Sequence, residues 1–311
     1  MTNTNMNENK PFYYSLSNDR QEDEKLLEPI RYYLQVPGKQ ITVKLAHAFN
    51  YWLKISPDKI QAINEIVTML CNSCIMIDDI QDNSISRRGI PVAHSVYGVA
   101  NSLSAATYIL FIALERTINL HPAATKVYME QMLEGHRGQG MDIFWRDNLI
   151  CPSEADYKTM AIKKMGSFFN LVVRLMKLFS TYEEDLSSLV AILSLHFQIR
   201  DDYCNLGSDK YNKSKSYCED LSEGKFSFPI IHALTTNPDD MQLMYILRQR
   251  TKDIEVKQHC VKLLEKFGSF KYTKSVLEDL DVKARAEIER LGGNPFLINV
   301  LDDLKKWDYW D

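Results

Sequence analysis

Apolar residues recur at the three-to-four spacing of amphipathic helices along most of this 311-residue chain. The strong runs cover about 40–55, 58–82, 100–119, 122–145, 153–179 and 183–206, with weaker ones after about 226. Breaks fall at Val36-Pro37-Gly38, Ser56-Pro57-Asp58, His121-Pro122, Cys151-Pro152-Ser153, Phe228-Pro229 and Asn237-Pro238. Ser56 and Ser153 are placed to cap helices, Pro57 suits a first helical position, and Glu154 lies in an acidic first turn. No strand alternation is sustained enough to build a sheet, and no internal repeat is visible. The pattern predicts an all-α fold of about ten or more helices. Residues 1–22 read as a polar N-terminal tail and 23–311 as a single domain.

Two of the long runs end in acidic clusters, Asp78-Asp79-Ile80-Gln81-Asp82 and Asp201-Asp202-Tyr203-Cys204-Asn205. Asp78 and Asp82 are four apart, so they stack on one helix face. Carboxylates crowded this way raise one another's pKa unless cations sit among them. Mg²⁺ is the natural cation, because it binds through one or two carboxylates together with substrate phosphate oxygens. Two such clusters facing each other across a bundle would clamp a diphosphate through shared ions. Each cluster is followed by a basic loop: Ser84 to Gly89 with Arg87 and Arg88, and Ser208 to Lys225 with Lys210, Lys213, Lys215 and Lys225. A lone basic loop is usually a solvated charge run. Its recurrence after both clusters fits a metal-bound polyphosphate, whose remaining charge needs protein cations.

Composition narrows the class. The formal net charge is −4, and no basic stripe with interleaved aromatics marks a nucleic-acid binder. The Asn-rich start has no secretory h-region, and no apolar run is expected to span a bilayer. A cytoplasmic location follows as the expectation. Cys71 and Cys74 form a CxxC within a helical pattern, with no partner set for zinc, so buried reduced thiols are expected.

The ordered set DDxxD, RRG, GQGxD, KxG, FQxRDDYxN and EGKFSFP resembles the trans-isoprenyl diphosphate synthases, and within them the animal-type geranylgeranyl diphosphate synthases. The resemblance runs from about residue 25 to the C-terminus. It implies an all-α prenyl synthase bundle around a central cavity, a homo-oligomer, three Mg²⁺ ions and an allylic prenyl diphosphate substrate. Residue by residue, Asp78, Asp79 and Asp82 match the first metal motif and Asp201 the second, with Asp202 and Asn205 completing it. Arg87, Lys164, Lys215 and Lys225 match residues that hold the allylic diphosphate. Gln198 and Gln139 match polar groups near the ionising C–O bond and metal waters. Asp78, Asp79, Asp82, Lys164, Gln198, Asp201 and Lys215 form the implied catalytic set.

The departures are selective. The family builds a metal-free isopentenyl diphosphate site from a GKxxR loop, a His seven residues before the first Asp, and the second Arg of RRG. Here Lys39 and Arg88 remain, but Thr42 stands for the Arg and Cys71 for the His. Losing two charge-assisted hydrogen bonds of about 1.5–3 kcal/mol each weakens that site by roughly 3–6 kcal/mol, or two to four decades. Lys164-Met165-Gly166 and His136-Arg137-Gly138-Gln139-Gly140 also differ from the usual forms, and Arg174 interrupts an apolar face. Each change alone has a bland reading as drift, packing or a snorkelling side chain. Together they favour a terpene synthase (a diphosphate lyase), with geranyl diphosphate to an acyclic monoterpene as the specific expectation. A working geranylgeranyl diphosphate synthase is the alternative, with small Ser73 and Cys74 lining a long chain pocket. Met165 and Arg174 would shorten that pocket. A non-catalytic regulatory subunit ranks third, because carboxylate clusters are costly without a cation.

Overall fold

Helix punctuation governs the architecture of the computed structural model, which describes residues 13–16, 20–207 and 216–306. Sixteen helices are present among the described residues. The first half comprises α1 (Arg20–Leu26), α2 (Glu28–Leu34), α3 (Ile41–Leu53), α4 (Pro57–Gln81), α5 (Ala93–Tyr97), α6 (Val99–Leu120) and α7 (Ala124–Asn148). Then follow α8 (Glu154–Lys164), α9 (Gly166–Lys177), α10 (Ser187–Gly207), α11 (Glu219–Glu223), α12 (Phe228–Thr236), α13 (Gln242–Gln249), α14 (Ile254–Lys266), α15 (Ser269–Arg290) and α16 (Pro295–Leu304). Ser153 Oγ accepts from the Asp156 N–H and caps α8. Ser56 has the extended backbone of a cap and precedes Pro57, but its side chain makes no capping bond.

Two expectations need correcting. The run at 153–179 is two helices, broken at Met165. The cause is close approach rather than a local breaker. A Cβ on Gly138 would lie 2.4 Å from Lys164 N, and one on Gly166 would lie 3.1 Å from Ser194 Oγ. Neighbouring helices therefore press on both sides of the break. Ser167 Oγ donates to the Lys164 carbonyl at 3.0 Å and satisfies one group that the break exposes. Secondly, the Arg-Arg loop is a small hairpin, β1 (Ser86–Arg87) paired antiparallel with β2 (Ile90–Pro91). Arg88 and Gly89, at φ 56° and 76°, form the two-residue turn, as a type I′ hairpin demands. Its geometry sends Arg87 and Arg88 to different neighbours.

Two apolar clusters fill the interior. One joins α3, α4, α6 and α9 with α16, around Phe49, Ile63, Leu70, Ile109 and Val172. The other joins α8, α10 and α12 to α15, around Tyr157, Ile199, Phe228 and Leu264. By length and composition, α4 and α6 could each cross a membrane, which corrects the expectation that no run is long enough. Half of the apolar window of α4 is buried inside the protein, as suits a core helix. All six cysteines are free thiols. Burial pushes Cys71, Cys74 and Cys260 up to about 12 and Cys151 up to about 11, so they are poor nucleophiles.

The second acidic cluster is tethered to the C-terminal helix. Arg200, next to Asp201, donates from Nε to the Leu304 carbonyl at 2.7 Å and from Nη2 to the Lys306 carbonyl at 3.0 Å. One turn earlier, His196 is buried with no hydrogen-bond partner for Nδ1 among the described residues. Burial lowers its pKa from 6.5 to about 4, with Arg200 and Lys305 adding to the shift and Asp281 opposing it. The unfolded chain therefore binds this proton first as pH falls. The His196 contribution is fully present above about pH 6.5 and is lost progressively toward pH 4, amounting to about 3 kcal/mol. Urea unfolding across that window should show the loss, and His196→Phe should flatten it.

Candidate active site

The C-terminal turns of α4 divide neighbouring carboxylates between two environments. Successive helical residues lie about 100° apart, so Asp78 and Asp79 leave the helix in different directions. Asp79 is buried and accepts from Arg87 Nε at 2.8 Å, from Arg87 Nη2, and from the Tyr33 hydroxyl at 3.4 Å. Its carboxylate, expected as a metal ligand, is engaged by the hairpin and α2. Asp78 is more open, with Arg87 at 3.5 Å, Lys164 at 3.8 Å and Gln139 Nε2 donating to it at 2.9 Å. Asp82 lies one turn beyond, paired with Arg146 at 2.5 Å.

From Asp78 a ladder of alternating charges crosses the bundle. Lys164 bridges Asp78 and Asp142, the latter at 2.8 Å. Lys225 also acts on Asp142 and binds Asp202 at 3.0 Å. Despite burial, Lys164 and Lys225 hold the Asp142 carboxyl below its ordinary value. The same partners outweigh burial and raise both lysines, which stay charged at any physiological pH.

The second motif is also divided. Asp202 accepts from Tyr157 at 2.5 Å, Phe228 N at 2.8 Å, Gln198 at 3.0 Å and Lys225 at 3.0 Å. It thereby caps α12 and fixes Lys225 from a buried position. Asn205 Oδ1 accepts from Asp220 N at 3.1 Å and holds the start of α11. Gln198 thus orients Asp202. Asp201, about one-quarter exposed, has Lys39 at 3.8 Å. Lys215 lies outside the described residues.

These residues fit Mg²⁺. Asp82 is pushed well above its ordinary pKa by burial and then by the charges of Asp78 and Glu223, despite Lys164 and Arg146. A divalent cation would relieve that crowding, and the donors are the hard oxygens it prefers. Among the described residues no three acidic, His or Cys groups converge tightly enough to hold an ion by themselves. Ions shared between the wall of Asp78 and Asp82 and that of Asp201 would depend on phosphate oxygens and water. Asp142, Arg146, Tyr157 and Glu223 were not among the site residues expected from sequence. Of these, Asp142 and Arg146 carried a signal, lying three and seven residues after the expected Gln139 on one face of α7.

The region expected to hold a second diphosphate is turned inward. Thr42 is buried, and its side chain lies beside Cys71, where it offsets part of the burial that pushes the thiol up. Arg88 donates to the Val36 carbonyl at 2.9 Å and to Asn72 Oδ1 at 3.2 Å, and lies 4.8 Å from the Tyr33 ring centre. Gly38 admits it, since a Cβ there would stand 2.6 Å from Arg88 Nη2. The chain-pocket expectations change too. Ser73 donates to the Ala106 carbonyl at 2.6 Å and so packs on α6. Arg174 pairs with Glu130 at 2.6 Å on the surface and shortens nothing. Met165 is half-buried against the first core cluster.

The sequence profile of the polyprenyl synthetase family matches residues 23–264. The chain belongs to that family. Members of the polyprenyl synthetase family are all-helical, act on prenyl diphosphates and generally use Mg²⁺. A protein of Matsumurasca onukii named terpene synthase is 61% identical over 293 residues, 94% of this chain and 97% of that relative. Geranylgeranyl pyrophosphate synthases of Mucor circinelloides f. lusitanicus and Dictyostelium discoideum are each 42% identical, over 94% and 96% of this chain and 97% and 98% of their own. This family member is thus an enzyme of prenyl diphosphate metabolism.

Proposed function

We propose that the chain is a terpene synthase that ionises an allylic prenyl diphosphate and deprotonates the resulting cation. The observation that carries this is the asymmetry between its two anion regions. Arg87 and Lys164 reach Asp78, and Lys225 is held by Asp202, next in the chain to Asp201. In the second region Thr42 and Cys71 supply no cation, Arg88 is committed to backbone, Asn72 and Tyr33, and Lys39 approaches Asp201. The relative named terpene synthase supports the same reading.

Up to three Mg²⁺ ions, taken up by Asp78, Asp82 and Asp201, would supply the charge that makes diphosphate a competent leaving group. Arg87, Lys164 and Lys225 then transfer hydrogen bonds from their carboxylates to phosphate oxygens as charge builds on the breaking C–O bond. The diphosphate departs with the bonding electron pair. Gln139 holds Asp78, and Asp202 with Tyr157 holds Lys225, so these groups need little rearrangement. Asp82 stays engaged by Arg146, and the departing diphosphate is the basic group left beside the carbon it has just released. The released diphosphate is therefore the base that takes a proton from the carbon beside the cation, and a C=C bond forms. Geranyl diphosphate to an acyclic monoterpene is the specific reaction proposed.

The reading includes a cytoplasmic homo-oligomer with residues 23–311 as its domain. Exposed Phe111 and Ile118 on α6 and Leu133 on α7 suit burial against a second copy. A geranylgeranyl diphosphate synthase is the second reading, favoured by the retained Lys39 and Arg88 and by the 42% identical relatives. A purely regulatory role is disfavoured by the retained carboxylates. Purified protein incubated with Mg²⁺ and geranyl, farnesyl or geranylgeranyl diphosphate alone should release a volatile olefin from one of them, detected by gas chromatography–mass spectrometry. No olefin, with efficient elongation once isopentenyl diphosphate is added, would favour the second reading.

A further inference from the structure

Asp82 follows the last residue of α4, and a single side chain from α7 fixes it there. Arg146 Nη1 donates to Asp82 Oδ1 at 2.5 Å, and Nη2 donates to the Gln81 carbonyl at 3.1 Å. Nε of the same guanidinium donates to Asp147 Oδ1 at 3.1 Å, and Arg250 Nη2 reaches that oxygen at 2.6 Å. All three nitrogens of Arg146 are therefore committed, each in a different direction. Arg146 is buried and Asp82 about one-tenth exposed, whereas Asp147 and Arg250 are nearly half exposed. The line of charge runs from the surface to the aspartate. Its outer end meets the turn that carries Lys225: a Cβ on Gly224 would lie 3.2 Å from Arg250 Cγ and 3.0 Å from the Leu247 carbonyl.

A rigid planar fork suits this task. An ammonium is a point charge and cannot span a carboxylate, a carbonyl and a second carboxylate at once. The fork also engages only one Asp82 oxygen among the described contacts. We propose that Arg146 is a positioning residue for the metal-binding aspartates. It aligns Asp82 in advance of Mg²⁺–diphosphate and keys that alignment to the Lys225 turn through Asp147 and Arg250. This rests on the diphosphate-ionising reading of the site, but not on whether the cation is then deprotonated or condensed.

Partners that orient metal ligands carry roughly 10–100-fold of metal affinity. Calorimetric titration of Mg²⁺ into the full chain with inorganic diphosphate measures this without turnover. Arg146→Met should weaken Mg²⁺ binding by roughly tenfold to a hundredfold, and Arg146→Lys should recover only part of it. Arg250→Met should shift affinity the same way by a smaller factor. Thermal unfolding without Mg²⁺ separates any general loss of stability. Wild-type affinity in Arg146→Met, or full recovery in Arg146→Lys, would overturn the proposal. So would a lowered melting temperature with unchanged Mg²⁺ affinity. Failure of the unaltered chain to bind the Mg²⁺–diphosphate pair would instead overturn the reading of the site, and this proposal with it.

Discussion

Thr42→Arg combined with Cys71→His is expected to raise incorporation of isopentenyl diphosphate by roughly two to four decades. The two positions touch, one in the first turn of α3 and the other on α4, and Arg88 acts on Cys71 from the hairpin. New side chains there would place an Arg and a His beside an existing guanidinium. Without an anion the cations repel one another, so the empty variant should melt below the wild type. A diphosphate reverses that sign, because each charge-assisted bond adds about 1.5–3 kcal/mol. Inorganic diphosphate should therefore raise the variant's melting temperature more than the wild type's. Transfer of labelled isopentenyl units into longer prenyl diphosphates is the direct measure. Unchanged elongation would mean that the wild-type region already binds its second substrate.

The adjacent aspartates should separate into turnover and stability. Asp78→Asn removes charge from the open carboxylate that meets Lys164, Arg87 and Gln139. Its kcat should fall by roughly three decades while the fold persists. Asp79→Asn takes the nearer counter-charge from the Arg87 guanidinium and leaves only Asp78, at 3.5 Å. Breaking a buried pair outright costs about 3–5 kcal/mol, and the loss here should fall below that range, read as a lower urea midpoint. Equal losses of kcat from both, with no difference in stability, would contradict the division of roles.

Local periodicity exposed the elements well but not their contacts. The apolar spacing placed α4 within a residue of its ends, because Pro57 starts it and the acidic cluster ends its apolar face. That spacing continues through Met165, where α8 gives way to α9, because the break follows from the approach of Gly138 and Gly166 to other helices. Long-range partners have no local signal. Asp82 meets Arg146 across 64 positions, and Tyr157 meets Asp202 across 45. The division of Asp78 from Asp79 was legible in principle from the 100° step of a helix. The resemblance treated the motif as a unit and so grouped residues that the backbone separates.

The fate of the cation is tested most directly by offering both substrates together. Geranyl diphosphate and isotopically labelled isopentenyl diphosphate at equal concentration, with Mg²⁺, give products that can be partitioned by label. The proposed function predicts that unlabelled volatile olefin exceeds labelled, elongated diphosphate by on the order of a hundredfold or more. Label appearing chiefly in a longer prenyl diphosphate would contradict it.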